Sequence, residues 1–175
     1  MKKLILLLLP LFFLGSCNKK TITVDYNYNF TTIRFRVNPM TAGVQAIDQK
    51  TLVTNFDSFC VAKNIDPNNV NSIHLSSANA FLADSTQNFD EFESARLFVS
   101  APNQPEIEIA SKNHTPNGSN ILNDFILTNE NIINYVKSNE ITVRMEGTLR
   151  NDITVVKNVL LKVEFRINAD LLQVK

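Results

Sequence analysis

Alternation of apolar and polar residues toward the end of the chain is the feature that most constrains its fold. Over residues 159–167 every second residue is apolar and most of the others are polar or charged, and residues 141–149 repeat this period of two. Successive side chains of a β-strand point to opposite faces, so the pattern predicts strands with one dry and one wet face. We therefore expect Val163 and Phe165 to be buried between two sheets.

The first part of the proposed domain also alternates, but its phase changes once. Apolar residues occupy even positions over 22–30 and odd positions over 33–37. A bulge or a change of strand near Thr31-Thr32 would produce this shift. Further strand candidates cover 70–77, 78–82, 95–101, 106–110 and 121–127.

Two segments show helical spacing instead. The first has apolar residues on one face of a 3.6-residue period, namely Leu52, Val53, Phe56, Phe59 and Cys60. This spacing predicts a helix over about 48–62, with Asp48 as its cap. A shorter helix is predicted to begin at 128–130 and to end at 137. Two helices among eight or so strands favour a mainly β fold, an antiparallel β-sandwich with one or two short helices in the connections.

The N-terminal segment concerns location rather than fold. Lys2 and Lys3 precede an almost wholly apolar run over 4–14, which is shorter than the roughly 20 residues that span a bilayer. The segment is therefore predicted to be a secretory signal. Its end, Leu14-Gly15-Ser16-Cys17, resembles the lipobox of bacterial lipoproteins. That resemblance implies cleavage before Cys17, lipidation of its sulfur and acylation of the new amino terminus.

The organisation that follows is a lipoprotein signal peptide over 1–16, the lipidated Cys17 with a short tether over 17–20, and one domain over 21–175. The membrane is the predicted partner through Cys17, beside an unknown protein partner. By analogy with enterobacterial sorting, Asn18 after the cysteine favours the outer membrane. No acidic run follows Cys17, which favours the periplasmic face over the cell surface.

Charge and cysteine content narrow the function classes. The chain has 17 basic and 17 acidic residues, so loss of Lys2 and Lys3 leaves 15 against 17, a formal charge of −2. Without a basic surplus, a nucleic-acid partner is not expected. With Cys17 lipidated, Cys60 lacks a disulfide partner, and its apolar neighbours in the sequence predict a buried small hydrophobe.

Two sets of acidic residues are candidate sites. Oxygen ligands for calcium could come from a stretch without EF-hand spacing, for which a solvated loop is the simpler interpretation: Asp84, Asn88, Asp90, Glu91 and Glu93. Glu106 and Glu108 share a strand face at about 6.7 Å between Cα atoms, near the separation in inverting glycosidases. The aromatic sugar platforms of such enzymes are missing, so paired surface carboxylates are expected.

The histidines suggest no catalytic site. His74 shares a strand face with Ser72 and Ser76, but no nucleophile elbow is present, and we expect a surface position. His114 lies in a polar loop and is predicted to be exposed. We therefore predict no catalytic residue, no metal and no cofactor. Residues 84–86, Asp-Ser-Thr, resemble the acceptor sequence for O-glycosylation in Bacteroidetes.

The order of the segments carries a wider resemblance. A lipobox, a helix and the segments 70–75, 89–100 and 108–110 follow one another as in small uncharacterised β-sandwich lipoproteins of the Bacteroidetes. The core over 70–169 is also similar to immunoglobulin-like domains of the late-embryogenesis-abundant type. These resemblances imply a fold and a location but no activity.

The predicted function is a membrane-anchored, non-enzymatic structural or interaction module of the cell envelope. One alternative is a carrier or binder of a small ligand such as glycan or lipid. Tyr26 and Tyr28 are its candidate residues, although their phase in the strand favours core packing. A further alternative is an enzyme of undetected type, which would place His74 or the Glu106 and Glu108 pair in a deep cleft.

Overall fold

The computed structural model describes residues 20–30 and 32–173. The predicted signal peptide and Cys17 lie outside the described residues. In chain order the strands are β1 (Lys20–Asn29), β2 (Ile33–Val37), β3 (Gly43–Val53), β4 (Val70–Leu82), β5 (Phe92–Ala101), β6 (Gln104–Asn113), β7 (Ile121–Leu122), β8 (Ile126–Leu127), β9 (Glu140–Leu149) and β10 (Lys157–Gln173). Two short helices, α1 (Phe56–Lys63) and α2 (Ile133–Val136), and a 3₁₀ turn over Pro67–Asn69 lie in the connections.

The strands form two five-stranded antiparallel sheets. The first sheet has the order β1-β10-β4-β7, with β2 also paired to β10. The second sheet has the order β3-β9-β5-β6-β8. The inward-facing side chains of both sheets make one hydrophobic core. The predicted class, a mainly β antiparallel immunoglobulin-like sandwich with short helices in the connections, is confirmed.

β10 is the long central strand of the first sheet, and its alternation has the predicted meaning. Val163 and Phe165 are both buried, Phe165 almost completely, while the neighbouring Lys162 is exposed. The fully buried Phe165 packs edge-to-face on Phe30, with ring centroids 5.3 Å apart. The prediction that this face of the last strand lies in the core is confirmed.

The phase change near Thr31-Thr32 is a shift in register along one edge. β1 and β2 both pair with β10, one after the other. Between the pairs Asn29–Glu164 and Ile33–Leu161, the edge advances four positions while β10 advances three. One additional residue therefore turns the apolar set from even to odd positions, as a β-bulge does.

The helix predicted over 48–62 is wrong in its first half. Residues 48–53 belong to β3, which pairs with β9, and the helix begins only at Phe56. Asp48 caps no helix; its carboxylate accepts hydrogen bonds from the backbone N–H groups of Arg36 and Gln49. Val53, which belongs to the apolar face of the predicted helix, is 60% exposed. Pairing with β9 satisfies the backbone of this segment, so tertiary contacts override its local spacing.

Other boundaries also differ from prediction. The candidates 70–77 and 78–82 form the single strand β4, in which a bulge at Ser76 shifts the register between Leu75 and Ser77. The candidate 121–127 divides into β7 and β8, which lie in different sheets. The second helix, α2, covers Ile133–Val136 only, shorter than the segment predicted to end at 137; Val136 within it and Ile132 just before it are buried.

The two ends of the sandwich are built differently. At the end that we call the helical end lie α1, α2 and the 3₁₀ turn, where Ile132 donates its N–H to the carbonyl of Ile73. At the opposite end, the loop end, the connections over 83–91, 114–120 and 150–156 meet. There Leu82 and Phe89 donate backbone hydrogen bonds to the carbonyls of Asn120 and Ser119.

Candidate functional site

A pocket of about 310 Å³ opens beside α1, and we call it the aromatic pocket. Its lining comes from the end of β1, the end of β3 and the first turn of α1: Tyr28, Asn29, Phe30, Val53, Thr54, Asn55, Ser58 and Phe59. The pocket lies where the edge of the first sheet passes from β1 to β2. Bulges and similar irregularities are common next to binding sites because they re-aim side chains.

Three aromatic rings form the apolar side of the pocket. Tyr28 lies between the other two, with its ring centroid 5.1 Å from Phe30 and 4.9 Å from Phe59, both in edge-to-face geometry. Phe30 and Phe59 are partly exposed, whereas Tyr28 is only 7% exposed. Burial raises the pKa of Tyr28 to about 12, so its hydroxyl is neutral over the whole physiological range.

Polar groups line the rest of the pocket. Asn55 precedes α1 in a left-handed conformation with φ 51°, and its neighbour Thr54 is held by a 2.8 Å hydrogen bond from its N–H to the carbonyl of Asn139. The buried hydroxyl of Thr54 has no hydrogen-bond partner among the described residues. Left-handed asparagines cost free energy and are often found at binding sites.

The chemistry of the lining selects for uncharged groups. In the described part of the chain, none of the eight lining side chains carries a charge at neutral pH. Aromatic faces combined with amides and hydroxyls suit neutral ligands that offer both C–H surface and hydrogen-bonding groups. Tyr28 packs into the core, as its phase in the strand favours, and also lines this pocket, whereas Tyr26 contacts Phe59 but does not line the pocket.

A second concentration of polar groups closes the loop end. Lys157 is 3% exposed, and its Nζ donates to the carbonyl of Asn88 at 2.6 Å and to Glu91 Oε2 at 2.9 Å. Arg150 donates to the carbonyls of Phe92 and His114. A buried cation is tolerated only when it is paired in this way.

The prediction that His114 is exposed is wrong. The residue is 8% exposed, and its Nε2 lies 3.6 Å from Asp90 Oδ1 without a hydrogen bond. Its backbone is fixed on both sides, because its N–H donates to the carbonyl of Glu93 and its own carbonyl accepts from Arg150. These backbone contacts bury the ring although the surrounding loop is polar.

Three carboxylates of the acidic stretch over 84–93 have separate partners. Asp84 accepts hydrogen bonds from the N–H and hydroxyl of Thr86, and Glu91 pairs with Lys157. Asp90 accepts from the backbone N–H groups of Asn117 and Gly118, both at 3.0 Å. Partial desolvation acts to raise the pKa of Asp90, but these donors together hold it below its ordinary value. The Asp-Ser-Thr sequence over 84–86 lies in an exposed turn.

Glu106 and Glu108 lie on the outer face of the second sheet and form part of a charged network. Glu106 accepts two hydrogen bonds from Arg144, at 2.8 and 2.7 Å, and Glu108 accepts from Arg96. Glu146 bridges both arginines. The bond from Arg144 lowers the pKa of Glu106. Each carboxylate is paired on an open sheet face, so neither lies in the deep cleft that an enzyme of this type would need.

The remaining candidate residues, His74 and Cys60, each contact other parts of the fold. His74 is half-buried on β4, and its Nδ1 lies 3.1 Å from the carbonyls of Asn129 and Glu130, away from the aromatic pocket. Cys60 is free and completely buried on the inner face of α1, as predicted, and burial raises the pKa of its thiol. The structure thus does not bring either histidine together with Cys60 or with the Glu106 and Glu108 pair.

Comparisons and searches of the described residues add few constraints. Within residues 20–30 and 32–173 no group of three or more His, Cys, Asp or Glu side chains could hold a metal ion. None of the helices in that part of the chain is long and apolar enough to cross a membrane. No protein-family model matches the sequence, and a comparison with curated proteins gives no significant match.

Proposed function

We propose that this chain is a lipoprotein of the bacterial cell envelope whose sandwich acts as a non-enzymatic structural or interaction module. The observation that carries the proposal is the sequence Leu14-Gly15-Ser16-Cys17 after a short apolar run. Cys17 is the lipidation site, and its acyl chains attach the protein to the membrane, the outer membrane by the analogy given above and with its periplasmic face favoured. Two or more acyl chains hold a protein on a bilayer stably, whereas one does not.

The cysteine chemistry supports Cys17 as the point of attachment. The chain has two cysteines, and Cys60 is enclosed by the core, where no acylating enzyme reaches its sulfur. Growth with an alkyne fatty acid should therefore label the protein, and Cys17→Ala should abolish the label while Cys60→Ala keeps it. A wild-type protein that takes up no label would refute the lipoprotein proposal.

The interaction part of the proposal requires a preferred surface. Exposed apolar side chains are spread over different parts of the sandwich and can be replaced singly by a photo-crosslinking amino acid: Val44, Val61, Ile126 and Val155. A structural or interaction module should give one discrete crosslinked partner in native membranes, from one or two of these positions only. Equal crosslinking from all positions, or none from any, would contradict it.

The aromatic pocket supports a second function, the binding of a small neutral ligand such as a glycan or an uncharged part of a lipid. The supporting observation is the combination of three aromatic rings with Asn29, Asn55 and Ser58 in one lining. Titration with a neutral disaccharide and with a short-chain phosphatidylcholine, followed by NMR of the aromatic protons, tests the two ligand classes separately. Shifts at Phe59 that saturate and that Asn55→Ala weakens would support it.

The matched control for that titration is Val61→Ala. Val61 lies on α1 near Phe59 but is 77% exposed and does not line the pocket. Its substitution should leave the titration unchanged. If neither probe produces saturable shifts, or if Val61→Ala weakens binding as much as Asn55→Ala, the pocket is not the binding site for these ligands.

A further inference from the structure

The first four residues of β1 and the last four of β10 form a two-stranded ribbon, which we call the anchor ribbon. Residues 20–23 pair with 170–173. β4, the neighbour of β10 on its other side, begins at Val70 opposite Ala169, so β10 beyond this point pairs with β1 alone. Four residue pairs at about 3.4 Å each give the ribbon a length of about 13 Å beyond the wider sheet.

The two faces of the anchor ribbon and its base differ in chemistry. Ile22 and Val24 share a face with Leu171, and all three are half-buried, whereas Tyr28 further along β1 is buried. Over Thr23, Asp25, Asn168 and Asp170 the opposite face is polar. There Thr23 donates a 2.7 Å hydrogen bond to Asp170, and Asn168 donates a 2.8 Å bond to Asp25. An amphipathic two-stranded ribbon with an incompletely covered apolar face is marginal in water on its own.

The position of Cys17 in the sequence decides what meets this face. Only Asn18 and Lys19 separate Cys17 from the first residue of β1. Three Cα–Cα steps span at most about 11 Å in any conformation, so acyl chains on Cys17 bring the lipid surface within about that distance of Lys20. Lipid on Cys17 would thus hold the anchor ribbon close to the membrane surface.

We infer that the anchor ribbon is a second membrane contact, in which Ile22, Val24 and Leu171 rest in the interfacial region of the bilayer while the Thr23 and Asp170 face stays in water. This inference rests on the proposed lipidation of Cys17 and deepens it. The lipid supplies attachment, and the ribbon fixes the orientation in which the sandwich stands on the membrane. Amphipathic elements of this kind sit about 5–10 Å into the boundary between headgroups and acyl chains.

The absence of tryptophan from the sequence gives a clean test. The full chain is lipidated in cells, purified and placed in phosphatidylcholine vesicles with or without bromine on the acyl chains, and one tryptophan is introduced at a time. Ile22→Trp and Leu171→Trp should lose about half of their emission or more to bromine, because both lie at the depth of the interface. Thr23→Trp, one residue away on the polar face, should be quenched clearly less, and Val155→Trp at the loop end not at all.

Mass spectrometry of the same samples separates the two levels of the proposal. If the protein carries the acyl chains and Ile22→Trp and Leu171→Trp are no better quenched than Thr23→Trp, the ribbon contact is refuted and the lipoprotein proposal stands. If the acyl chains are absent, both fail. Blue-shifted emission from Ile22→Trp and Leu171→Trp without bromine quenching would show that protein rather than lipid covers the face, which also refutes the contact.

Discussion

The helical end and the loop end of the sandwich solve the same problem with different chemistry. Both must close the space between two sheets whose inner faces are apolar. At the helical end Phe56 and Cys60 of α1, with Val136 of α2, fill that space with hydrocarbon. At the loop end Phe89 also buries hydrocarbon, but Lys157 and the other buried polar groups add hydrogen bonds on which this closure depends.

The difference matters because the two kinds of closure respond to different conditions. Apolar closure depends on shape and buried area and changes little in acid. Polar closure depends on every donor and acceptor being matched, because a buried group that loses its partner retains its desolvation cost. The loop end should therefore be the more sensitive to acid and to single polar substitutions, and the helical end to loss of volume.

The largest effect is expected at the helical end. Phe56 is 1% exposed, and Phe56→Ala should lower the free energy of unfolding by about 3–5 kcal/mol through lost burial and a cavity. Val61→Ala in the same helix, at a position 77% exposed, should change it by under about 0.5 kcal/mol. Urea denaturation of a chain that begins at Asn18 measures both. Equal effects would show that α1 does not close the core.

A smaller loss is expected at the loop end. Lys157→Met keeps most of the side-chain volume but leaves Glu91 and the carbonyl of Asn88 without their donor. Because Glu91 is partly exposed, we expect a cost of about 2–3 kcal/mol, below that of a fully buried pair. The double variant with Glu91→Gln should recover part of this loss. A double variant less stable than Lys157→Met alone would contradict the assignment of the cost to Glu91.

The helical end should also respond to alkali. The pKa of Tyr28 rises from 10.0 to about 12 on folding, so unfolded chains lose this proton first as the pH rises. The contribution of Tyr28 is thus complete below pH 10 and is lost as the pH rises through about 12, and a pKa difference of two units corresponds to about 2–3 kcal/mol. The stability difference between wild type and Tyr28→Phe, measured from pH 8 to 12, should change accordingly. A constant difference would contradict the burial of the neutral hydroxyl.

The smallest effect is expected in acid at the loop end. The pKa of Asp90 is lowered on folding, so its contribution is present above its unfolded value and is lost as the pH falls through the folded one. Asp90→Asn should remove that part of the decline in stability below about pH 4. Thermal melts from pH 2.5 to 7 compare the two chains. If Asp90→Asn declines as steeply as wild type, the hydrogen bonds from Asn117 and Gly118 do not stabilise the charged form.

Sequence patterns predicted the strands in which the alternation of apolar and polar residues continues from end to end. The alternation in β10 and β9 continues through whole strands, so the buried face could be assigned residue by residue. The segment 48–62 failed because its apolar spacing fits one helical face while its first half is fixed by pairing with β9. Spacing along the chain carries no information about that partner strand.

The sites were harder to predict than the sheets. The alternation along β1 predicted that Tyr28 points into the core. Its contact with Phe59, however, joins β1 to a helix about thirty residues later, and nothing in the sequence indicates that these two segments meet. His114 was misplaced for a related reason. Its burial depends on Arg150 and Glu93, which lie in other parts of the chain. Only Cys17, whose signal is local, could be proposed from the sequence alone.

The additional residue between β1 and β2 determines which face of the sheet the apolar side chains of β2 occupy. Four positions on the edge correspond to three on β10, and all inward side chains of β2 depend on that count. Deletion of Thr32 alone would leave every later residue unchanged yet turn Ile33, Phe35 and Val37 out of the core while β2 kept its pairing. Residues 31–32 are both polar in sequence, and we expect this segment to tolerate replacement far better than a change of length.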